Sequence, residues 1–329
     1  MRVAINGFGR IGRMVLRAGI YDKNIDFVAI NDLGDTHMLS HLLHYDSAHG
    51  PFEGAVETVT DGLIINGKHI RTFSEKDVTK LPWGELHVDV VVEATGIFLD
   101  KTSCQKHIDA GAKKVLITAP AKDPDFFFVK GVNEHLYDRA KHHIVTNESC
   151  TTNCFAPMAK VINDNYGIIN GFMLTVHAYT ADQNLVDGPH RKGDLRRARA
   201  AGLNIVPTSS GAAKALGRVI PELNGKVHAE AFRVPISCGS VTYFTCKIKK
   251  QTTAADVNTL FRNVANFHLK GILQYSEEDL VVQDIVGRPY SCIFDSKLTE
   301  VNGDLLKVVG WYDNEWGYSC RVVDVIKLL

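Results

Sequence analysis

Cys150 lies in Ser149-Cys150-Thr151-Thr152-Asn153-Cys154, ahead of a helical pattern made by Phe155, Met158, Ala159 and Ile162. A thiol at a helix start meets the positive end of the helix dipole, which favours thiolate and therefore a sulfur nucleophile. Pro157 would remove one helical hydrogen bond and kink the segment. An isolated cysteine is often only a small buried apolar side chain, but polar neighbours on both sides of Cys150 argue against simple packing. Cys150 and Cys154 lack two further nearby ligands, so they make a poor zinc site and no metal is expected. His177 sits in Leu174-Thr175-Val176-His177-Ala178-Tyr179-Thr180, opposite in face to Val176 and Ala178. A strand histidine is usually structural; paired with a cysteine nucleophile it becomes a candidate base. The chain has 14 histidines, so spacing alone does not select this one.

The densest basic segment runs Arg191-Lys192-Gly193-Asp194-Leu195-Arg196-Arg197-Ala198-Arg199. It reads as a solvated loop, a subunit contact or a phosphate-binding loop. The last fits best, because guanidinium forks match phosphate geometry. Thr208-Ser209-Ser210-Gly211 follows with hydroxyls and a small turn.

At the other end, Gly7-Phe8-Gly9-Arg10-Ile11-Gly12 follows a strand pattern and precedes a helix pattern, and Asp32 ends the next strand. The three glycines permit a tight turn, close approach of backbone to a pyrophosphate, and close helix packing. The helix start offers unpaired N–H groups to phosphates. Asp32 can accept hydrogen bonds from both adenosine ribose hydroxyls and would repel a 2′-phosphate, which favours NAD over NADP.

The elements around these residues follow from pattern. Short apolar runs at Val3–Ile5, Phe27–Ile30, Val88–Ala94, Val115–Thr118 and His143–Val145 alternate with helical stretches. That is an α/β pattern, an open doubly wound and mostly parallel sheet. From about residue 150 the chain turns β-rich, at Gly171–Thr180, Phe232–Lys250 and Tyr290–Asp313, with Asn302-Gly303 reading as a hairpin turn. Thr253–Leu269 has helical spacing, with Val257, Leu260, Val264 and Phe267 on one face. This half is expected to be α+β, a mostly antiparallel sheet covered by helices. Glu315–Leu329 also reads as a helix.

The chain has 329 residues, 45% apolar and 22% charged, which suits about two folded domains and excludes disorder. Lys+Arg and Asp+Glu are both 37, so nothing favours nucleic acid or an anionic membrane. No apolar run reaches the ~20 residues of a membrane span, and the N-terminus lacks a signal-peptide pattern. Seven scattered cysteines without a CxxC point to reduced thiols and a cytoplasmic location.

Taken together, the chain resembles the phosphorylating glyceraldehyde-3-phosphate dehydrogenase family. The resemblance is carried by Asn6–Arg13, Ser149–Cys154, His177–Thr180, Leu195–Arg199, Phe232-Arg233-Val234-Pro235 and Trp311–Tyr318. It implies a Rossmann NAD-binding domain over 1–149 with the terminal helix 315–329, and a catalytic domain over 150–314. Cys150 would be the nucleophile, and His177 would promote the thiolate and act as base. Gly7, Gly9, Arg10, Ile11, Gly12, Asp32, Thr118 and Asn314 would bind NAD, with Lys76 standing where the family has an arginine near adenine. Ser149, Thr151, Thr180, Arg197, Ser210, Gly211 and Arg233 would bind the phosphate of glyceraldehyde 3-phosphate and the attacking inorganic phosphate. A homotetramer is implied, with 182–207 as a loop near the subunit contacts. Two departures stand out: Ser210 replaces the usual threonine, and Asp187–Gly193 carries a one-residue insertion. Rival readings are erythrose-4-phosphate dehydrogenase, aspartate-semialdehyde dehydrogenase, and a binding protein on a dehydrogenase scaffold.

Overall fold

The computed structural model describes residues 1–329, which divide into two compact units. The first comprises 1–128, 135–148 and 319–329; the second comprises 129–134 and 149–318.

The first unit holds a nine-stranded sheet: β1 Arg2–Asn6, β2 Asp26–Asn31, β3 Val56–Val59, β4 Gly62–Ile65, β5 Lys68–Phe73, β6 Val90–Glu93, β7 Lys114–Ile117, β8 Phe126–Phe127 and β9 Ile144–Thr146. Its order is β3-β4-β5-β2-β1-β6-β7-β9-β8. The short apolar runs form the parallel centre, where strands such as β6 and β7 are buried on both faces. Helices α1 Arg10–Gly19, α2 Thr36–His44 and α3 Lys101–Asp109 lie between strands in the chain. Asp35 and Asp100 cap α2 and α3 by accepting the Met38 and Ser103 N–H groups. On one face Trp83 packs with Ala4, Val28, Val88 and Val91.

Sequence reading overlooks β3 to β5, an antiparallel addition at the sheet edge. Its signal is present: Asn66 and Gly67, at φ +51° and +77°, form a two-residue turn between the paired Ile65 and Lys68. Asn-Gly is the preferred pair for that turn. The strands escape notice because half of β3 is polar and exposed and none of it is buried.

The second unit opens with α4 Cys150–Tyr166, followed by β10 Ile168–Ala178, β11 Val206–Ser209, α5 Ala212–Val219, β12 Val227–Val234, β13 Ser240–Ile248, α6 Ala254–Asn266, β14 Leu273–Ser276, β15 Cys292–Asp295, β16 Glu300–Asn302 and β17 Leu305–Tyr312. The sheet runs β11-β12-β10-β13-β17-β15-β14, with β16 on β17. Two pairs are parallel, β10 with β12 and β14 with β15; the others are antiparallel. Helix α7, Trp316–Ile326, closes the chain.

Four expectations differ in detail. The hairpin turn consists of Gly303 and Asp304, because Asn302 still pairs with Leu305. The buried face of α6 is Val257, Phe261 and Ala265; Phe267 lies past the helix end and is exposed. Phe261 decides that rotation by stacking on Phe294 at 3.9 Å. Pro157 sits inside α4 without ending it, in a helix buried from Thr151 to Ala159. The division between units also departs from 149/150 and 315. Ser149 and Glu315–Tyr318 go with the second unit, as do residues 129–134, where Gly131 packs against Leu269 and Ile272.

Candidate active site

In the first unit, parallel β1, β2 and β6 end side by side, and the chain leaves β1 at Gly7. A cavity of about 490 Å³ opens there, lined by Gly7, Gly9, Asp32, Leu33, Lys76 and Phe98 among others. It occupies the carboxyl ends of the strands, where open α/β sheets bind ligands. Asp32 is fixed by backbone donors: Phe8 N–H to Oδ2 at 2.7 Å and Gly34 N–H to Oδ1 at 2.9 Å. Beneath it, Asn31 donates to Asn6 at 2.7 Å and Asn6 donates to the buried Glu93 carboxylate at 2.6 Å. This chain of hydrogen bonds locks the three strand ends together.

The glycines are needed for different reasons. Gly7 has φ +92°, and a Cβ there would lie 2.6 Å from the Thr95 nitrogen. A Cβ on Gly12 would run into the Gly7 carbonyl, whereas Gly9 has open space around it. No side chain caps α1 at Gly9, so its start is available to an anion. Cavity, anchored carboxylate and uncapped helix start together fit a dinucleotide. Gly12→Ala is therefore expected to lower both thermal stability, by about 1–3 kcal/mol, and NAD affinity. Gly9→Ala should keep its melting temperature and lose at least about tenfold in NAD affinity. Calorimetric titration and thermal melts check this; an unshifted melt for Gly12→Ala would contradict it.

The remaining first-unit candidates are placed unevenly. Lys76 lines the cavity. Ile11 follows Arg10 in the first turn of α1. The Arg10 side chain pairs with Asp46. Burial pushes the Asp46 carboxyl up, but hydrogen bonds from His49 and Arg10 outweigh it and hold the group well below the usual carboxylate range. Thr118 donates its hydroxyl to the Glu93 carbonyl at 3.0 Å and is not among the cavity's lining residues. Leu33, which beside Asp32 resembles the NAD-preferring form of the family, lines the cavity, as do Thr95 and Phe98, which the sequence reading does not select. Their signal was position, just after parallel strands.

In the second unit, Cys150 is the first residue of α4. Ser149 is its N-cap, accepting the Thr152 N–H at 3.1 Å. Cys150 Sγ lies 3.4 Å from His177 Nε2. His177 is 3% exposed near the end of β10, where its register partner on β12 is Arg233. Arg233 Nη1 approaches His177 Nδ1 at 2.9 Å and donates to the Ala178 carbonyl at 3.0 Å. His177 Nδ1 is itself 2.7 Å from that carbonyl. With the proton on Nδ1, that nitrogen and Arg233 Nη1 both donate to the Ala178 carbonyl and do not bond each other, and Nε2 is left as an acceptor for the thiol.

Burial dominates the electrostatics of the pair. Burial pushes the Cys150 thiol up to about 11, against the Arg233 charge and the Thr151 hydroxyl and N–H, which pull it down. Burial, and then Arg233, press His177 down to about 3. The resting pair is thus thiol and neutral imidazole, and the favourable charge near sulfur is a guanidinium rather than an imidazolium. Desolvation is the largest influence on both groups, and it opposes the charged form of each.

The anion candidates fall into groups. Ser149 and Thr151 flank Cys150 at the start of α4. Ser210 accepts the Ala212 N–H at 3.3 Å and Gly211 is the N-cap of α5, a second helix start. Arg233 touches the reacting pair. Thr180 lies two residues beyond β10. Arg197 is engaged by the Asp182 carboxylate, which also accepts from Arg191 at 3.0 Å. Asn314, on the link between β17 and α7, accepts the Gly239 N–H at 2.8 Å through Oδ1. Tyr312 and Thr175, behind the pair, were not picked out from sequence.

The comparisons with known proteins agree along the chain. Residues 1–101 match the family model for the glyceraldehyde 3-phosphate dehydrogenase NAD binding domain, and 149–314 match that for its C-terminal domain. Glyceraldehyde-3-phosphate dehydrogenase 2 of Streptomyces avermitilis is 52% identical, covering 99% of this chain and 97% of the relative. Glyceraldehyde-3-phosphate dehydrogenase of Streptomyces coelicolor is also 52% identical over the same shares. That of Priestia megaterium is 50% identical over 100% of this chain and 98% of its own.

Proposed function

Because the chain belongs to the glyceraldehyde-3-phosphate dehydrogenase family, we propose that Cys150 and His177 carry its reaction, as nucleophile and base. The protein is an NAD-dependent oxidoreductase converting D-glyceraldehyde 3-phosphate and inorganic phosphate to 1,3-bisphosphoglycerate. The observation that carries the assignment of roles is the 3.4 Å approach of Cys150 Sγ to a buried His177 held by Ala178 and Arg233.

The sulfur forms a bond to the aldehyde carbon, and its proton passes through Nε2 to the carbonyl oxygen, giving a thiohemiacetal. NAD, when bound, supplies the acceptor for a hydride. As hydride leaves the carbon, Nε2 takes back the hydroxyl proton and a thioester remains on Cys150. A phosphate oxygen attacks that carbonyl, the C–S bond breaks, and the departing sulfur recovers the proton from Nε2. Dividing one difficult conversion into an oxidation and an acyl transfer is covalent catalysis.

Gly7, Gly9, Arg10, Ile11 and Gly12 would hold the pyrophosphate and Asp32 the adenosine ribose, with Lys76 near the adenine. Thr118 and Asn314 would hold the nicotinamide end. With Oδ1 of Asn314 committed to Gly239, Nδ2 is the group that donates to the carboxamide. Ser149, Thr151, Thr180, Arg197, Ser210, Gly211 and Arg233 would divide the two phosphates between them. Arg197 does so by exchanging Asp182 for a phosphate.

A homotetramer fits the loop between β10 and β11. Leu195 and Leu203 are 86% and 85% exposed there, and Leu185, Val186 and Ile205 are exposed with them. So much apolar surface on one loop suits a subunit contact. No helix is long and apolar enough to cross a membrane. Net charge zero gives no support to nucleic acid as a partner, and the balance of features suits a cytoplasmic enzyme.

The test is a spectrophotometric assay with NAD or NADP, with and without inorganic phosphate, on glyceraldehyde 3-phosphate and erythrose 4-phosphate. Reduction of NAD with the triose should depend on phosphate. Asp32→Ser should narrow the gap between NAD and NADP by at least about tenfold, by removing a charge that repels the 2′-phosphate. Phosphate-independent turnover, or preference for the tetrose, would overturn the reading.

A further inference from the structure

Beneath the dinucleotide cavity lies a buried carboxylate that the scheme above leaves without a role. Glu93 ends β6, and its side chain is 0% exposed. Four donors surround it. Thr95 gives Oε1 its backbone N–H at 2.8 Å and its hydroxyl. Asn6 and His107 each give Oε2 an N–H, at 2.6 Å and 3.1 Å.

The charge on these partners follows from counting hydrogens. Asn31 Oδ1 accepts the Glu75 N–H at 2.9 Å, so its Nδ2 faces Asn6 Oδ1, and Asn6 turns Nδ2 toward Glu93. An indole N–H can only donate. Trp83 Nε1 lies 3.0 Å from His107 Nδ1, which therefore accepts, and the imidazole hydrogen sits on Nε2. An imidazolium carries hydrogen on both nitrogens and does not fit this arrangement. His107 is thus a neutral donor, and no Lys or Arg pairs with Glu93. The carboxylate accepts from every side, as an ionised group does, with no cation to balance it. Its charge acts beyond its own bonds: the Cys104 thiol is pushed up to about 12, by burial first and then by Glu93.

The position of Glu93 in the sheet gives that charge a target. On one side it pairs in register with Asn6, next to the Gly7 turn proposed to hold the pyrophosphate. On the other it pairs with Ile117, and its carbonyl accepts both the N–H and the hydroxyl of Thr118, at 2.9 Å and 3.0 Å. Thr118 is the residue proposed to hold the nicotinamide end. We propose that Glu93 is a specificity-determining residue for the oxidation state of the cofactor: its unbalanced charge favours the cationic nicotinamide of NAD⁺ over the neutral ring of NADH. Its repulsion of the diphosphate is common to both forms and cancels. A buried charge is little screened, so it acts at a distance that water would quench. Trp83 is then a positioning residue acting through His107, because it keeps the imidazole neutral. The bias helps NADH leave and NAD⁺ enter after each turnover.

This role rests on a dinucleotide lying along the carboxyl ends of β1, β6 and β7. Calorimetric titration of the full-length protein with NAD⁺, NADH and ADP-ribose separates charge from packing, with thermal melts on every variant. Glu93→Gln keeps the size and removes the charge. It should weaken NAD⁺ about three- to tenfold more than NADH, and should change NADH and ADP-ribose alike. Glu93→Asp keeps the charge and loosens the hydrogen bonds, so it should weaken all three by similar factors. His107→Lys sets an ammonium against the same carboxylate and should narrow the preference as Glu93→Gln does, which keeps the question decidable if the glutamine variant does not fold. His107→Gln, neutral and still a donor, should leave the ratio of NAD⁺ to NADH affinity unchanged. A merely structural Glu93 has no reason to treat the two oxidation states differently. Its role in specificity is overturned if the ratio is unmoved in Glu93→Gln and His107→Lys, or if Glu93→Asp narrows it as much as Glu93→Gln. If the unaltered protein bound none of the three ligands, the cofactor reading itself would fall, and this role with it.

Discussion

Cys150→Ser abolishes phosphate-dependent oxidation of the triose, by on the order of 10⁴-fold or more, and leaves the protein folded. The fold survives because the position is the first of α4, where Ser149 supplies the cap and a small hydroxyl is easily accommodated. The chemistry does not survive. Burial already holds the softer, more acidic thiol up to about 11, and a serine hydroxyl in the same place is far harder to ionise. It is also a poor leaving group when phosphate attacks the acyl carbon, so both the addition and the acyl transfer suffer. Two measurements check this: kcat with matched thermal melts, and mass spectrometry of an acid-quenched mixture of protein, triose and cofactor. The acyl adduct should sit on Cys150 in the unaltered protein and be missing from the variant. Full activity in the variant removes the covalent scheme.

The second large effect is at His177. His177→Asn should slow turnover by about 10²–10⁴-fold, the usual worth of a positioned general base, with a much smaller change in KM. The pH dependence follows from the same burial. A histidine held down to about 3 is neutral, and so a competent acceptor, throughout the physiological range. kcat/KM should therefore show no acid limb near 6.5 and should rise toward the alkaline side, where the thiol held near 11 begins to ionise. A limb at the ordinary histidine value, lost in His177→Asn, would mean that the substrate-free protein solvates His177 far more than its 3% exposure indicates.

These expectations depend on features of very different legibility. The doubly wound sheet was readable because each parallel strand is a short apolar run buried on both faces, as in β6 and β7. The edge strand β3 carries no such signal and was missed, although the Asn66-Gly67 turn between β4 and β5 could have revealed the hairpin next to it. On α6 the helix was evident but its inward face was not, because the stack of Phe261 on Phe294 lies outside any local pattern.

By itself the sequence determined the kinds of chemistry on offer. A glycine-spaced turn with an acid after the next strand, and a cysteine behind a serine cap, are local arrangements, and local backbone geometry is written in neighbouring residues. Only the tertiary structure decided the electrostatic state of the reacting pair. Arg233 meets His177 across 56 positions of chain, and Tyr312 meets Thr151 across 161, through strand register and helix packing. Those contacts arise from cooperative packing, and so does the desolvation that sets the proton on sulfur rather than on imidazole. No short stretch of residues encodes either one.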